Sequence, residues 1–148
     1  MSEKIVELLR LMEKISNERE HAKKKRIEYA PGVLLSRSER DILDEVGRYP
    51  GIGVRGIADN KGVTAGAVSQ TVKQLVGYGL LRKAPSPVSE ARICIYLTEE
   101  GKKSYQISEQ RHRESLREWE KMLTRLSEND LDHLTRFLKD MRKKIVET

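Results

Sequence analysis

The chain has 148 residues, of which 35% are charged and only 5% aromatic, so its interior must be mostly aliphatic and one domain with extensions is the expected plan. With 29 Lys and Arg against 23 Asp and Glu it carries a net charge of +6, and no apolar run approaches the roughly 18–20 residues needed to span a bilayer. Cys94 is the only cysteine, which excludes an internal disulfide and a zinc knuckle built on paired cysteines, while Glu3 and Glu7 interrupt any apolar stretch that could act as a secretory signal. A soluble, cytoplasmic, mostly helical protein without a membrane segment is therefore expected.

From Glu3 to about Lys23 the apolar residues Ile5, Leu8, Leu9, Met12 and Ile15 recur at helical spacing, and Val6 and Leu11 widen the stripe. Tyr29-Ala30-Pro31-Gly32 breaks that helix. A second helix opens at Ser36-Arg37-Ser38-Glu39, a capping box, with Ile42, Leu43 and Val46 facing inward, and ends at Tyr49-Pro50-Gly51. Two shorter helices follow over about Val54–Asn60 and Thr64–Tyr78, the second closed by Gly79 as a left-handed cap.

Leu80-Leu81-Arg82-Lys83 and Ile93–Leu97 read as two strands. Between them Pro85 and Pro87 are expected to forbid regular structure and to mark a hairpin tip. Thr98, followed by Glu99 and Glu100, starts a long helix, and Ser127 starts another. Leu116, Trp119, Leu123 and Leu126, then Leu131, Leu134, Leu138, Met141 and Ile145, form heptad-like seams.

The basic excess is not spread evenly. Residues 55–104 hold 8 basic and 4 acidic side chains, whereas both ends are nearly balanced, so the middle of the chain leans toward an anionic partner. The dense run Lys23-Lys24-Lys25-Arg26 reads as a solvated helix end, with a nucleic-acid backbone contact as the sharper alternative.

The same middle stretch carries a spacing with a geometric reason. Ala58 is small where a second helix must cross, Gly62 four residues later suits a positive φ in the turn, and Val68 six further on plugs the angle between the helices. Ile57, Val63, Val72 and Leu75 are expected to complete that core. A helix-turn-helix followed by a hairpin is a winged helix. On its second helix Val68, Val72, Leu75 and Val76 define the expected buried side, leaving Gly66, Gln70, Lys73, Gln74 and Gly77 outward with Ser69 at the edge. That outward set is small, polar and free of acids. Gln70 suits a bidentate contact to adenine, Ser69 a base or phosphate, and Lys73 a guanine or phosphate. Thr64, Ala65 and Gly66 lie at the helix start, and Arg55 on the preceding helix suits a backbone contact.

On these residues the chain resembles the MarR family of transcriptional regulators, from Leu35 to Gly101 and more loosely toward both ends. Leu35-Ser36, Ile57-Ala58, Val68-Ser69-Gln70, Leu75, Gly79-Leu80-Leu81, Leu97-Thr98-Glu99-Glu100-Gly101 and Leu126-Ser127-Glu128 stand where that family places recurring residues. The resemblance implies a mainly α fold with a small β-hairpin wing: a winged helix-turn-helix over 35–104, flanked by dimerisation helices over 1–34 and 105–148. It also implies a homodimer on a near-palindromic duplex, a role in repression, and a small-molecule effector in a cleft between the dimerising helices and the winged domain. Wing contacts would fall to Lys83, Ser86 and Arg92. One departure stands out: the family's wing Arg lies six positions before the Leu of Leu-Thr, whereas Arg92 lies five before Leu97, which would put it on the other side of the strand.

Other signals weigh less. Gly51-Ile52-Gly53-Val54-Arg55-Gly56 matches a dinucleotide fingerprint, but a capped helix and Pro50 precede it and Val76 stands where the ribose-binding acid belongs. His21, His112 and His133 have no metal-ligand spacing, and no nucleophile stands with a matching base. No metal, cofactor or catalysis is expected. The competing reading is a winged helix serving as a protein-interaction module, without sequence-specific DNA binding.

Overall fold

The computed structural model describes residues 1–148. Six helices and two hairpins follow one another: α1 (Glu3–Lys23), β1 (Ile27–Ala30), β2 (Val33–Leu35), α2 (Arg37–Arg48), α3 (Val54–Lys61), α4 (Ala65–Gly77), β3 (Leu81–Pro85), β4 (Ile93–Leu97), α5 (Glu99–Leu123) and α6 (Glu128–Val146). The chain forms two compact units, Met1–Glu109 and Gln110–Thr148.

In the first unit the core is a winged helix-turn-helix. Leu43, Val46, Ile57, Val68, Val72, Leu75, Leu80, Leu81 and Ile95 are buried together. Each such aliphatic side chain contributes about 1.5–3 kcal/mol on leaving water. Helix starts follow their caps. Ser36 Oγ accepts from Glu39 N while the Glu39 carboxylate accepts from Ser36 N, the full capping box; Thr64 Oγ1 accepts from Ala67 N; Ser127 Oγ accepts from Asp130 N. The end of α4 is a Schellman motif, with Gly79 at φ +76°, Gly79 N donating to Val76 O and Leu80 N to Leu75 O.

The wing is an antiparallel pair in regular register, Leu81 opposite Leu97 through Pro85 opposite Ile93. Pro85 is thus inside a strand, contrary to the expectation from sequence. Ser86 N donates to Arg92 O, so the neighbouring pair Pro85–Ile93 is of the type that exchanges no ladder bonds, and the missing N–H costs nothing there. Gly51 N donates to Ile95 O, and Ile95 N to Ile52 O, which adds a short third segment along β4.

The first hairpin, β1–β2, was not expected. Pro31 and Gly32 (φ +77°) make its turn, with Gly32 N donating to Glu28 Oε1. The hairpin brings Tyr29 and Leu35 into the core. Two further side chains depart from expectation. Val63 is 49% exposed rather than buried, because the left-handed Gly62 before it turns the chain outward. Val76 is 37% exposed, one residue past Leu75 and rotated to the rim of the buried stripe.

The apolar stripe of α1 is not covered. Ile5, Leu8, Leu9, Leu11 and Ile15 are exposed, and no residue of α1 is buried. In the second unit Leu116, Trp119, Leu123, Phe137, Leu138 and Ile145 are likewise exposed, and α6 buries no residue. Neither stripe fills a core within its own unit.

Candidate nucleic-acid interface

The interface candidate is built on α3 and α4. Ala58 and Val68 are buried where the two helices meet, and Gly62 between them has φ +65°. The spacing that suggested a helix-turn-helix is therefore the one that forms it. With Val68, Val72 and Leu75 pinned inward, geometry leaves Ser69, Gln70, Lys73, Gln74 and Gly77 on the solvent side, and all five are exposed. Thr64, Ala65 and Gly66 are exposed at the helix start, where free N–H groups and the helix dipole favour an anion. No acid lies anywhere on α4.

A Cβ added at Gly66 or Gly77 would meet nothing within 4 Å. Neither glycine is required by the chain's own packing, although each weakens a helix. Gly101 is the opposite case: a Cβ there would run into the Leu80 carbonyl, so the start of α5 can lie against the strand entry only as glycine.

Arg55 is exposed in the first turn of α3. On the wing, Lys83 is exposed on β3 and Ser86 is half-buried at the tip, its Oγ accepting from Val88 N. Arg92 is exposed, but it is not on a strand. Its N–H donates to Ser89 O and its carbonyl accepts from Ser86 N, which makes it the last residue of the tip, just before β4. Which side of a strand it occupies is therefore not the relevant question. Arg82, not singled out from sequence, stacks on the Tyr96 ring with its guanidinium carbon 4.6 Å from the ring centre.

Gly51-Ile52-Gly53-Val54-Arg55-Gly56 is a turn leading into α3 and pairing with β4. Gly51 has φ +87°, and a Cβ at Gly56 would press on the Ile52 side chain. The positive φ accounts for Gly51, while Gly53 has ordinary extended backbone and room for a Cβ. No three His, Cys, Asp or Glu side chains gather as a metal cage, and no helix is long and apolar enough to cross a membrane.

Away from α4, a cavity of about 240 Å³ is lined by Lys25, Arg37 and Arg40 together with Ile27, Tyr29 and Leu35. Nearby on α2, Asp44 is largely buried, and burial raises its carboxyl to about pH 6 against the lowering effects of the Ser108 hydrogen bond and Arg40. Asp44 and Ser108 lie 64 residues apart, so no local sequence pattern signals the pair.

No protein-family model matches the sequence, and no curated protein matches it. Solved structures do share its fold. Lactococcus lactis ZitR, a zinc-responsive MarR family member, superimposes with a TM-score of 0.80 at 16% identity, over 94% of this chain and 96% of that one. The transcriptional regulator SlyA is 26% identical over 97% of this chain and 92% of that one, with a TM-score of 0.58. The chain shares the fold of these regulators. Streptococcus pneumoniae FabT, solved in complex with DNA, is a further match at 18% identity and a TM-score of 0.63, over 76% of this chain and 77% of that one. The shared fold spans nearly the whole chain, from the helix before the winged domain to the two long helices after it. The zinc response is ZitR's, and the DNA is FabT's.

Proposed function

We propose that this chain is a DNA-binding transcriptional regulator that acts as a homodimer. The observation that carries the reading is the exposed, acid-free face of α4, where Ser69, Gln70 and Lys73 stand clear of the chain's own core. A helix of this kind enters the major groove, where Gln70 pairs with an adenine edge and Lys73 with a guanine or a phosphate. Thr64, Ala65 and Gly66 present the start of α4 to a phosphate. Arg55, Lys83, Ser86 and Arg92 flank it with further backbone or minor-groove contacts. Regulators of the same fold solved with DNA, FabT and Lactococcus lactis ZitR, support the reading.

The uncovered stripes of α1, α5 and α6 supply the dimer surface, because a two-fold pairing buries the same seams on both copies. Two recognition helices then meet successive major grooves roughly 34–36 Å apart, on a near-palindromic site. Repression by occlusion is the simplest consequence, in the cytoplasm. The cavity beside Lys25, Arg37 and Arg40 suits a small organic acid as effector, much as Streptomyces coelicolor PcaV has been solved with its natural ligand. Such a ligand changes DNA affinity only if it favours one arrangement of the two reading helices.

The test is duplex binding at two ionic strengths. Affinity that falls steeply as salt rises, and falls less steeply for Lys73→Glu, is expected. Absence of duplex binding, or binding without a salt slope, would favour the protein-interaction module.

A further inference from the structure

Glu39 is 2% exposed, yet three separate chain segments meet at its carboxylate. Oε2 accepts from the backbone N–H of Ser36 and from Nη1 of Arg26, both at 2.9 Å. Oε1 accepts from Nη2 of Arg26 at 3.3 Å and from the Tyr78 phenol at 3.4 Å. Arg26 also donates to the Leu34 carbonyl at 3.2 Å. A carboxylate taken this far from water is costly unless each oxygen is paired, and here both are.

Two of these partners have local reasons. Ser36 belongs to the capping box of α2, and the Arg26 fork offsets the buried charge. Tyr78 has none. It is half exposed, so water could satisfy its hydroxyl, yet it reaches back to a residue 39 positions earlier. Tyr78 is also the C-cap of α4, between Gly77 and the Schellman turn at Gly79, so its side chain is a second tie on that helix end. Only one to two turns before it stand Lys73 and Gln70.

We propose that Arg26, Glu39 and Tyr78 are positioning residues that tie down the C-terminal end of α4, and so set the angle at which Gln70 and Lys73 meet a duplex. The latch rests on the reading of α4 as the DNA-reading helix. Its effect falls on base contacts first. A bidentate contact to a base edge is directional, whereas a lysine on a phosphate tolerates a small swing of the helix.

The experiment compares wild type, Tyr78→Phe, Arg26→Ala and the double variant in the full chain. Two probes are used: a duplex selected by the wild-type protein from a randomised 24-base-pair pool, and an unselected duplex of equal length. Amide hydrogen exchange is followed over residues 74–80 without DNA. For Tyr78→Phe, exchange in that stretch rises roughly tenfold, and the preference for the selected duplex falls at least about threefold. Affinity for the unselected duplex is unchanged and Tm moves by no more than about 2 °C. The double variant discriminates no worse than Arg26→Ala alone, since both changes open one latch. Unchanged exchange at the helix end overturns the proposal, as does faster exchange with discrimination intact. Wild-type protein that prefers no duplex overturns the DNA reading itself, and the exchange data then decide alone whether the latch holds the helix end.

Discussion

Ser108 on α5 donates a 2.9 Å hydrogen bond to Oδ2 of Asp44 on α2, while Oδ1 of the same carboxylate is buried without a partner. The Arg40 guanidinium stands 3.8 Å away, too far to compensate fully. Burial therefore dominates and lifts the carboxyl from 3.8 to about 6. Because the folded-state value is the higher one, the folded form binds the proton more tightly. Its contribution to stability is complete below about pH 4 and disappears as pH rises through 6. Asp44→Asn keeps an acceptor for Ser108 and removes the titration. Denaturant unfolding of both proteins at pH 4.5, 6 and 7.5 should show the variant gaining on wild type with rising pH, by on the order of 2 kcal/mol in all. A difference that does not vary with pH would contradict this.

Gly66 and Gly101 are predicted to respond in opposite ways to the same methyl group. Gly101→Ala drives a Cβ into the Leu80 carbonyl and should cost about 2 kcal/mol or more, seen as a lowered Tm. Gly66→Ala enters open space and should stabilise α4 by about 0.5 kcal/mol. If a duplex lies close against the helix start, that more stable variant binds DNA more weakly. Thermal melts paired with a binding titration separate the two effects, and unchanged DNA affinity for Gly66→Ala would count against close approach at that point.

Trp119 is 58% exposed in the middle of the Leu116–Leu126 seam. A charge there leaves a single chain's core untouched but is incompatible with a buried two-fold seam. Light scattering should give wild type a mass near twice the chain's 17.0 kDa. Trp119→Glu should shift it toward the monomer, with an unchanged helical circular dichroism spectrum. A wild-type monomer, or a variant that dimerises as before, would remove the seams from the account.

Lys73 is exposed on α4 with no acid on the same helix to pair with. Reversing its charge should weaken selected and unselected duplexes together, by tenfold or so at low salt, and reduce the salt slope by about one. Equal affinities for Lys73→Glu and wild type would mean that α4 is not in the groove.

How much was legible beforehand depended on the range of the interaction. The caps at Ser36, Thr64 and Ser127 are local contests between a hydroxyl and a free backbone N–H, so the residue type nearly decides them. Ala58 and Val68 were readable because a tight helix crossing admits few side chains at those points, and Gly62 because the turn needs a positive φ. The β1–β2 hairpin carried a readable signal as well, since Pro31-Gly32 suits a turn with positive φ at its second central position. Val63 was misplaced because its apolar character said nothing about the outward turn made at Gly62. The Glu39 latch and the Asp44–Ser108 pair were beyond reach, since they join residues 13 to 64 apart that only the completed fold brings together. Of the candidate interface, the exposure of Ser69, Gln70, Lys73, Gln74 and Gly77 was legible from helical spacing; the exposure of Val76 and the place of Arg92, in the tip rather than on the strand, were not.

The central claim is that the outward edge of α4 reads bases. Replacing Gln70 by Ala removes one side-chain amide from that edge and leaves charge and core as they were. Titrating wild type and Gln70→Ala against a selected and an unselected duplex, at one fixed ionic strength, tests the claim most directly. A loss of about 1–3 kcal/mol on the selected duplex with the unselected one unchanged is the predicted result. Equal losses on both duplexes, or none on either, would contradict it.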